Sequence, residues 1–557
     1  MQTPTGRMMD FPLTLTHFLD RAHAFFPRSE IVSRRADGSA HRYTYADYHA
    51  RVCRLAGALQ KLGVKPGDRV ATLAWNHHRH MELYFAVPGM GAVLHTLNLR
   101  LHPDDLGYIA DHAEDTVVFV DASLLPLLRQ FVSQAPSIRK IVVMREEGDP
   151  PADEGALDYE DLLGAESGGF SFPTLDENAA AFLCYTSGTT GRPKGVLYSH
   201  RSTVLHTLVI CTADAMGVSE ADAVLPVVPM FHACAWGLPF ACIATGAKAV
   251  FPGPRLDGAS ILDLMSEEKV TLAAGVPTIW LGILALLDDA KSAAAAAGAR
   301  APAHAPRWDL RAVRSMVIGG SAAPPAMIEG VRARHGLDVT HTWGMTEMSP
   351  LGTLARVKRH LQGDDDATTL AYKASQGYPV QLVEQRHVDD TGRVLPWDGR
   401  SMGELEVRGP WVAASYLGDE GPDRFTEDGW FKTGDVVTID VEGYMRICDR
   451  SKDVIKSGGE WISSVDLENV IMSHPAVLEA AVFAGRHPRW DERPIAAIAF
   501  KKGHTATEDE IAAFLATKVA RFWLPDAYVF VEQVPRTSTG KFLKTKLRAD
   551  YGDILMK

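Results

Sequence analysis

Short uncharged runs alternate with amphipathic helical segments through the front of this chain, and that alternation limits what it can fold into more than any other feature. The segment TYADYHARVCRLAGALQKLGV places Tyr48, Val52, Leu55 and Leu59 about one helical turn apart and stops at Gly63. DRVATLAWN and TVVFVD read as short buried strands. Strands separated by helices join most simply as crossovers between parallel neighbours, so an α/β fold is expected. A chain of 557 residues exceeds what one core usually supports, and its 46% of hydrophobic residues can fill more than one.

Near the end the pattern changes to a compact α+β unit. A helix is expected from about Ser464 to Ser473, closed by His474 and Pro475, then strands in LEAAVFAG and RPIAAIAF. In TEDEIAAFLATKVARF, Thr507 and Glu510 make a capping box, with Ile511, Phe514, Leu515 and Val519 on the apolar face. A boundary near Asp449 and Arg450 divides a large N-terminal domain, 1–448, from a small C-terminal one, 449–557. The Ala- and Pro-rich stretch from Asp288 to Trp308 reads as a solvated surface excursion.

With 69 acidic against 57 basic residues the formal net charge is −12, which argues against a general nucleic-acid binder and against a basic membrane-surface protein. The six cysteines are scattered without zinc spacing, as in a reducing compartment. The first residues are broken by Arg7, Asp10 and Pro12, so no signal-peptide core is expected, and a cytoplasmic location is.

One loop stands out chemically. YTSGTTGRPKG, Tyr185 to Gly195, follows the apolar run AAFLCY and gathers glycines, hydroxyls and cations. Walker spacing fails, because Pro193 and Val196 stand where Gly188 and Gly191 would need a second glycine. The loop still suits a polyphosphate: its glycines let N–H groups converge, Thr186, Ser187, Thr189 and Thr190 donate hydrogen bonds, and Lys194 brings charge. An exposed hairpin turn is the plainer alternative.

Five further motifs follow in order: VPMFHACAWGLP, HTWGMTEMSP, WFKTGD, CDRSKDVIKSGGEW and PRTSTGKFLK. Together with the loop they resemble the adenylate-forming superfamily of acyl-CoA synthetases, peptide-synthetase adenylation domains and luciferases. Among its members they are most similar to bacterial medium- and long-chain fatty-acid CoA ligases. The resemblance implies ATP, Mg²⁺ and CoA as cofactors, an acyl-adenylate intermediate, and a mobile C-terminal domain turning about Asp449.

It also implies roles. Lys541 would be the catalytic lysine, with His232 and Glu347 beside the chemistry and Thr186 and Glu347 holding Mg²⁺. ATP would lie against Thr186, Ser187, Gly188, Thr189, Thr190 and Lys194, against Gly320, His341, Thr342, Trp343, Gly344 and Thr346, and against Asp435, Arg450 and Lys452. The acyl pocket would be lined by His232, Ala233, Trp236, Val276, Gly320 and Met345, with Trp236 as a gate. CoA would meet Lys456, Ser457, Gly458, Gly459 and Trp461.

Small uncharged pocket residues favour a plain acyl chain over an amino acid, whose ammonium would want a buried carboxylate. A medium-chain fatty acid is the expected substrate, with 3-(methylthio)propionate or another short- or long-chain acid as the alternative. A luciferase-like oxygenase would share the adenylation residues, but KSGGEW argues for thiol transfer. Related enzymes are often homodimers, and no nucleic-acid partner is expected.

Overall fold

The computed structural model describes residues 6–150, 154–186, 192–296, 307–363, 366–457, 460–536 and 542–556. The chain divides into two compact units, one of residues 1–317, 344–351 and 410–421, the other of residues 318–343, 352–409 and 422–557.

The first unit carries a seven-stranded sheet. Its order is Leu157–Asp158, Lys140–Met144, Asp115–Asp121, Arg69–Leu73, Val93–Thr96, Ala180–Tyr185 and Gly195–Ser199. All neighbours are parallel except the last pair, a hairpin in which Tyr185 faces Gly195. The expected helix spans Tyr45–Lys61, and Thr44 and Asp47 cap it reciprocally. Its Tyr48, Val52, Leu55 and Leu59 are fully buried, which is the face the spacing predicts. Glu82, fully buried on the following helix, accepts from Tyr43 at 3.0 Å and Tyr159 at 2.5 Å and pairs with Arg51 at 2.7 Å. A second run in this unit orders Ala40–Thr44, Glu30–Arg34, Lys248–Phe251, Ala223–Pro226 and Leu272–Gly275.

The second unit holds an antiparallel sheet of Glu384–Val388, Gly403–Arg408, Phe431–Ile439 and Met445–Arg450. Its C-terminal part is built on the hairpin Val477–His487 and Asp491–Phe500, packed on the helices Ser464–Met472 and Glu508–Ala516. The capping box at Thr507 and Glu510 is present, and Ile511 and Leu515 are fully buried. This helix is shorter than its apolar pattern: it ends at Ala516, where Lys518 and Val519 both donate to the carbonyl of Leu515, and Val519 packs from beyond the end.

The Ala- and Pro-rich stretch differs from expectation in its first half. The helix Pro277–Ala296 runs through Asp288 and into the alanines, because alanine is the strongest helix former and no proline interrupts until later. Residues 297–306 lie outside the described residues. Among the described residues, no helix is long and apolar enough to cross a membrane.

Candidate active site

In the first unit the two ends of the phosphate-type loop lie on the paired strands Ala180–Tyr185 and Gly195–Ser199. Its neck is closed by Thr186, whose N–H donates to the carbonyl of Lys194 at 2.9 Å and whose Oγ1 accepts the N–H of Lys194 at 3.1 Å. The Lys194 ammonium lies 5.1 Å from the centre of the Tyr416 ring. The helix expected from about Ser202 starts at His200, because Ser199 caps it by accepting the Ser202 N–H at 3.0 Å. Ser187, Gly188, Thr189 and Thr190 lie outside the described residues.

The GMTE segment follows in the same unit. Gly344 must be glycine: a Cβ there would sit 1.9 Å from the carbonyl oxygen of Pro350. Thr346 and Glu347 lie in a short 3₁₀ turn and are buried, and Met345 is half-buried. Tyr198 donates to the carbonyl of Thr346 at 2.6 Å, and Tyr416 donates to Glu347 Oε1 at 2.6 Å. The backbone of Glu347 also accepts the Ala413 N–H at 2.8 Å. The carboxylate is therefore fixed in direction, and the Thr186 hydroxyl adds a second hard oxygen donor from the same unit. No group of three or more His, Cys, Asp or Glu among the described residues could hold a metal ion by itself. That donor set suits Mg²⁺, which binds through one or two protein oxygens together with phosphate oxygens and water.

The VPMFHACAWGLP segment, expected to form the acyl pocket, is backbone-strained. Ala233, Cys234, Ala235 and Trp236 have φ of 40°, 49°, 50° and 56°, and Gly237 continues at 77°. Each non-glycine residue in this left-handed region costs about 1–2 kcal/mol, so a run of four persists only where surrounding contacts fix it. Ala233 and Trp236 are buried, whereas His232 just before the run and Val276 are half-buried. Cys234 Sγ lies 3.8 Å from Cys184 Sγ, on the strand leading to the phosphate-type loop. Contact with Cys234 draws the Cys184 thiol down, while burial pushes that of Cys234 up.

In the second unit, the strand Val339–Gly344 presents His341, Thr342 and Trp343. His341 is buried with Nδ1 2.7 Å from the carbonyl of Ser375, and burial lowers its pKa. Thr342 donates to the carbonyl of Ile318 at 3.2 Å. Gly320 is exposed, with φ of 82°. The Trp343 indole donates to Asp435 Oδ2 at 3.0 Å, and Arg450 Nε lies 2.7 Å from Asp435 Oδ1. Three separately predicted residues thus meet on one carboxylate, and each of its oxygens keeps a lone pair for a further donor such as a ribose hydroxyl.

Asp449 is buried, accepting the Arg450 N–H at 2.7 Å and the Ser464 N–H at 2.8 Å, and burial raises its pKa. Lys452 is exposed. Lys456 stands opposite Trp461 on a hairpin, its ammonium 5.3 Å from the ring, and the Ser457 hydroxyl accepts from Arg493 at 3.2 Å. Gly458, Gly459 and Lys541 lie outside the described residues. Sequence reasoning missed Tyr416, which fixes Glu347 across 69 positions, and the buried pair Lys544–Glu468 at 2.7 Å, because neither carries a local pattern.

A Gly- and hydroxyl-rich loop and a fixed carboxylate in the first unit, and a carboxylate held between an indole and a guanidinium in the second, are compatible with a nucleotide-using enzyme. The chain belongs to the AMP-binding enzyme family, which it matches over residues 19–417, with the family's C-terminal domain matched over 466–541. It is an ATP-dependent acyl-CoA synthetase of the adenylate-forming class, with ATP, CoA and a carboxylic acid as substrates.

It is 49% identical to a long-chain-fatty-acid–CoA ligase of Thermus thermophilus, covering 98% of this chain and 96% of the relative. It is 44% identical to a medium-chain-fatty-acid–CoA ligase of Ectopseudomonas oleovorans, over 99% and 98%. A 3-methylmercaptopropionyl-CoA ligase of Ruegeria lacuscaerulensis is 45% identical, over 99% of both chains. Among solved structures, an anthranilate CoA ligase in complex with anthranoyl-AMP superposes with a TM-score of 0.83 at 26% identity, over 98% of this chain and 99% of that one.

Proposed function

We propose that the protein joins a medium-chain fatty acid to CoA. The observation that carries this reading is the VPMFHACAWGLP segment, where Ala233 and Trp236, expected to line the acyl pocket, are uncharged and buried. A chain without a polar end loses nothing by entering such a pocket, whereas an amino acid would bury an unpaired ammonium. The similarity to a medium-chain ligase supports the same reading.

The acid's carboxylate attacks the α-phosphorus of ATP and pyrophosphate leaves. The CoA thiolate then attacks the acyl carbonyl and AMP leaves. Both steps bring anions together, so charge neutralisation and positioning are what the protein has to supply. In our assignment the loop from Thr186 to Lys194 holds the β- and γ-phosphates, and Lys541 bridges the carboxylate and the α-phosphate. Trp343 stacks on adenine, and Asp435 and Arg450 hold the ribose, with Lys452 near the phosphates. Thr186 and Glu347 would hold Mg²⁺, which when bound neutralises phosphate charge. The C-terminal domain, from residue 449, turns about Asp449 and offers Lys456, Ser457, Gly458, Gly459 and Trp461 to pantetheine. Trp236 gates the acyl pocket. We assign a cytoplasmic location from the scattered cysteines, as in a reducing compartment, and a homodimer by likeness to related enzymes.

The alternative substrate is 3-(methylthio)propionate, favoured by the similarity to a ligase of that acid. The test is CoA-dependent AMP formation across saturated acids from acetate to palmitate, with 3-(methylthio)propionate and benzoate. A maximum in kcat/KM near octanoate is expected. A maximum at the thioether acid replaces the substrate and keeps the site, and AMP formation with none of these acids sinks the reading.

A further inference from the structure

Asn76, the last residue of DRVATLAWN, lies just past the strand Arg69–Leu73 and in none of the six ordered motifs, yet it is buried at 4% exposure and spends its whole side chain on the acyl loop. Its Nδ2 donates to the carbonyls of Pro226 and Val228, both at 2.9 Å, and its Oδ1 accepts the N–H of Met230 at 2.7 Å. Two more side chains grip the next residues: Tyr84 donates to the carbonyl of Met230, and Thr96 to that of Phe231 at 3.3 Å. The strand Ala223–Pro226 has already ended here, and the left-handed run Ala233–Gly237 begins two residues after Phe231. Beyond Val227 and Val228, which donate to the carbonyl of Ala274, the segment is fastened to side chains rather than to a sheet neighbour.

We propose that Asn76 is a positioning residue for the acid: it sets the backbone course of residues 226–230, and through it the placement of His232 and of the left-handed turn that carries Trp236. The inference rests on the acyl-CoA synthetase reading of this loop. Asn is suited to the task because two donors and one acceptor on one rigid amide match two carbonyls and one N–H, a set that Asp, Ala and Ser cannot reproduce. A displacement of about 1 Å in such a loop is enough to misplace a reacting carboxylate by a catalytically significant amount.

The experiment is steady-state AMP formation by the full-length enzyme, measuring KM for the preferred acid and for ATP and the acid chain-length profile in wild type, Asn76→Ala, Tyr84→Phe and Thr96→Val. Asn76→Ala is expected to raise the KM for the acid about tenfold or more and to flatten the chain-length profile, with the KM for ATP changed by less than about twofold. A purely structural role would lower soluble yield or melting temperature and leave the acid KM and profile of the folded fraction alone, which overturns the proposal. So does an equal rise in both KM values. If Asn76→Ala fails to fold, Tyr84→Phe and Thr96→Val each remove a single hydroxyl from the same loop. Both are expected to raise the acid KM by about two- to fivefold without moving that for ATP, and no change in either overturns the proposal. A wild-type enzyme inactive on every acid overturns instead the functional reading beneath it.

Discussion

Around the acyl loop of the first unit, the buried polar contacts are mostly neutral: the Asn76 amide, the Tyr84 and Thr96 hydroxyls, and His206, whose Nε2 accepts the Leu351 N–H at 3.1 Å. Around Asp449 in the second unit they centre on the buried Lys544 ammonium. Lys544 pairs with Glu468 at 2.7 Å and donates to Ser464, Glu468 accepts the Val482 N–H at 2.8 Å, and Asp449 accepts the Ser464 N–H. Neutral hydrogen bonds tolerate the loss of one member at modest cost, whereas a buried charge left without its partner does not. The segment gripped by Asn76 can therefore vary by small steps, while the Lys544 cluster is all or nothing.

The largest effect that would break this contrast concerns Lys544→Met. It leaves Glu468 and Asp449 buried without their cation, and the C-terminal part is expected to lose about 3–5 kcal/mol, read by urea unfolding or by exchange in peptides covering residues 460–536. The double variant Lys544→Met with Glu468→Leu should recover only part of that loss, since it removes the Glu468 charge but leaves Asp449 without its cation and the Val482 N–H without its acceptor. A loss in Lys544→Met no larger than that of an ordinary surface variant would place both regions in one class.

A smaller effect sharpens the division of labour. Asp435→Asn removes the carboxylate charge between Arg450 and the Trp343 indole. The KM for ATP is expected to rise about tenfold, the size of one charge-assisted hydrogen bond, with the acid profile unchanged. That is the mirror image of the result expected at Asn76, and an altered acid profile in Asp435→Asn would show that the two regions do not separate nucleotide from acid.

Much of this was open to sequence reasoning. The helix of Tyr48 to Leu59, the capping box at Thr507 and Glu510, and the motif order follow from local spacing, and local spacing is what a single sequence displays. Trp343, Asp435 and Arg450 were each singled out by motif, although their meeting on one carboxylate spans 92 positions between the first two. Asn76 was invisible because its partners lie 150, 152 and 154 positions away and an isolated asparagine after a strand looks like a turn residue. The left-handed run was equally hidden: ACAW contains no glycine, and only Gly237 after it hints at positive φ. Ala-rich composition after Asp288 suggested a solvated excursion, whereas alanine's helix propensity carries the helix through to Ala296.

The smallest expected effect is a pH dependence of opposite sign in the two regions. In the first unit, burial lowers His206 to about 3, so the unfolded chain takes up a proton near its ordinary 6.5 that the native state refuses. Stability from this group is complete above 6.5 and falls as the pH drops toward 3. In the second unit, burial pushes Glu468 up to about 7. The native state then holds a proton that the unfolded chain releases near 4.5, so stability from this group is complete below 4.5 and falls as the pH rises toward 7. Melting His206→Asn and Glu468→Gln beside wild type between about pH 5.5 and 6.5 reads the two signs. The deficit of His206→Asn should shrink toward acid, because the variant has no proton to refuse, and that of Glu468→Gln should shrink toward alkali, because glutamine mimics the protonated acid. Shifts of about 1 kcal/mol across that range are expected. Parallel pH dependences in the two variants would mean that the Glu468 carboxyl is held charged by Lys544 more strongly than burial opposes it, and the contrast between the regions would then lie in their contacts alone.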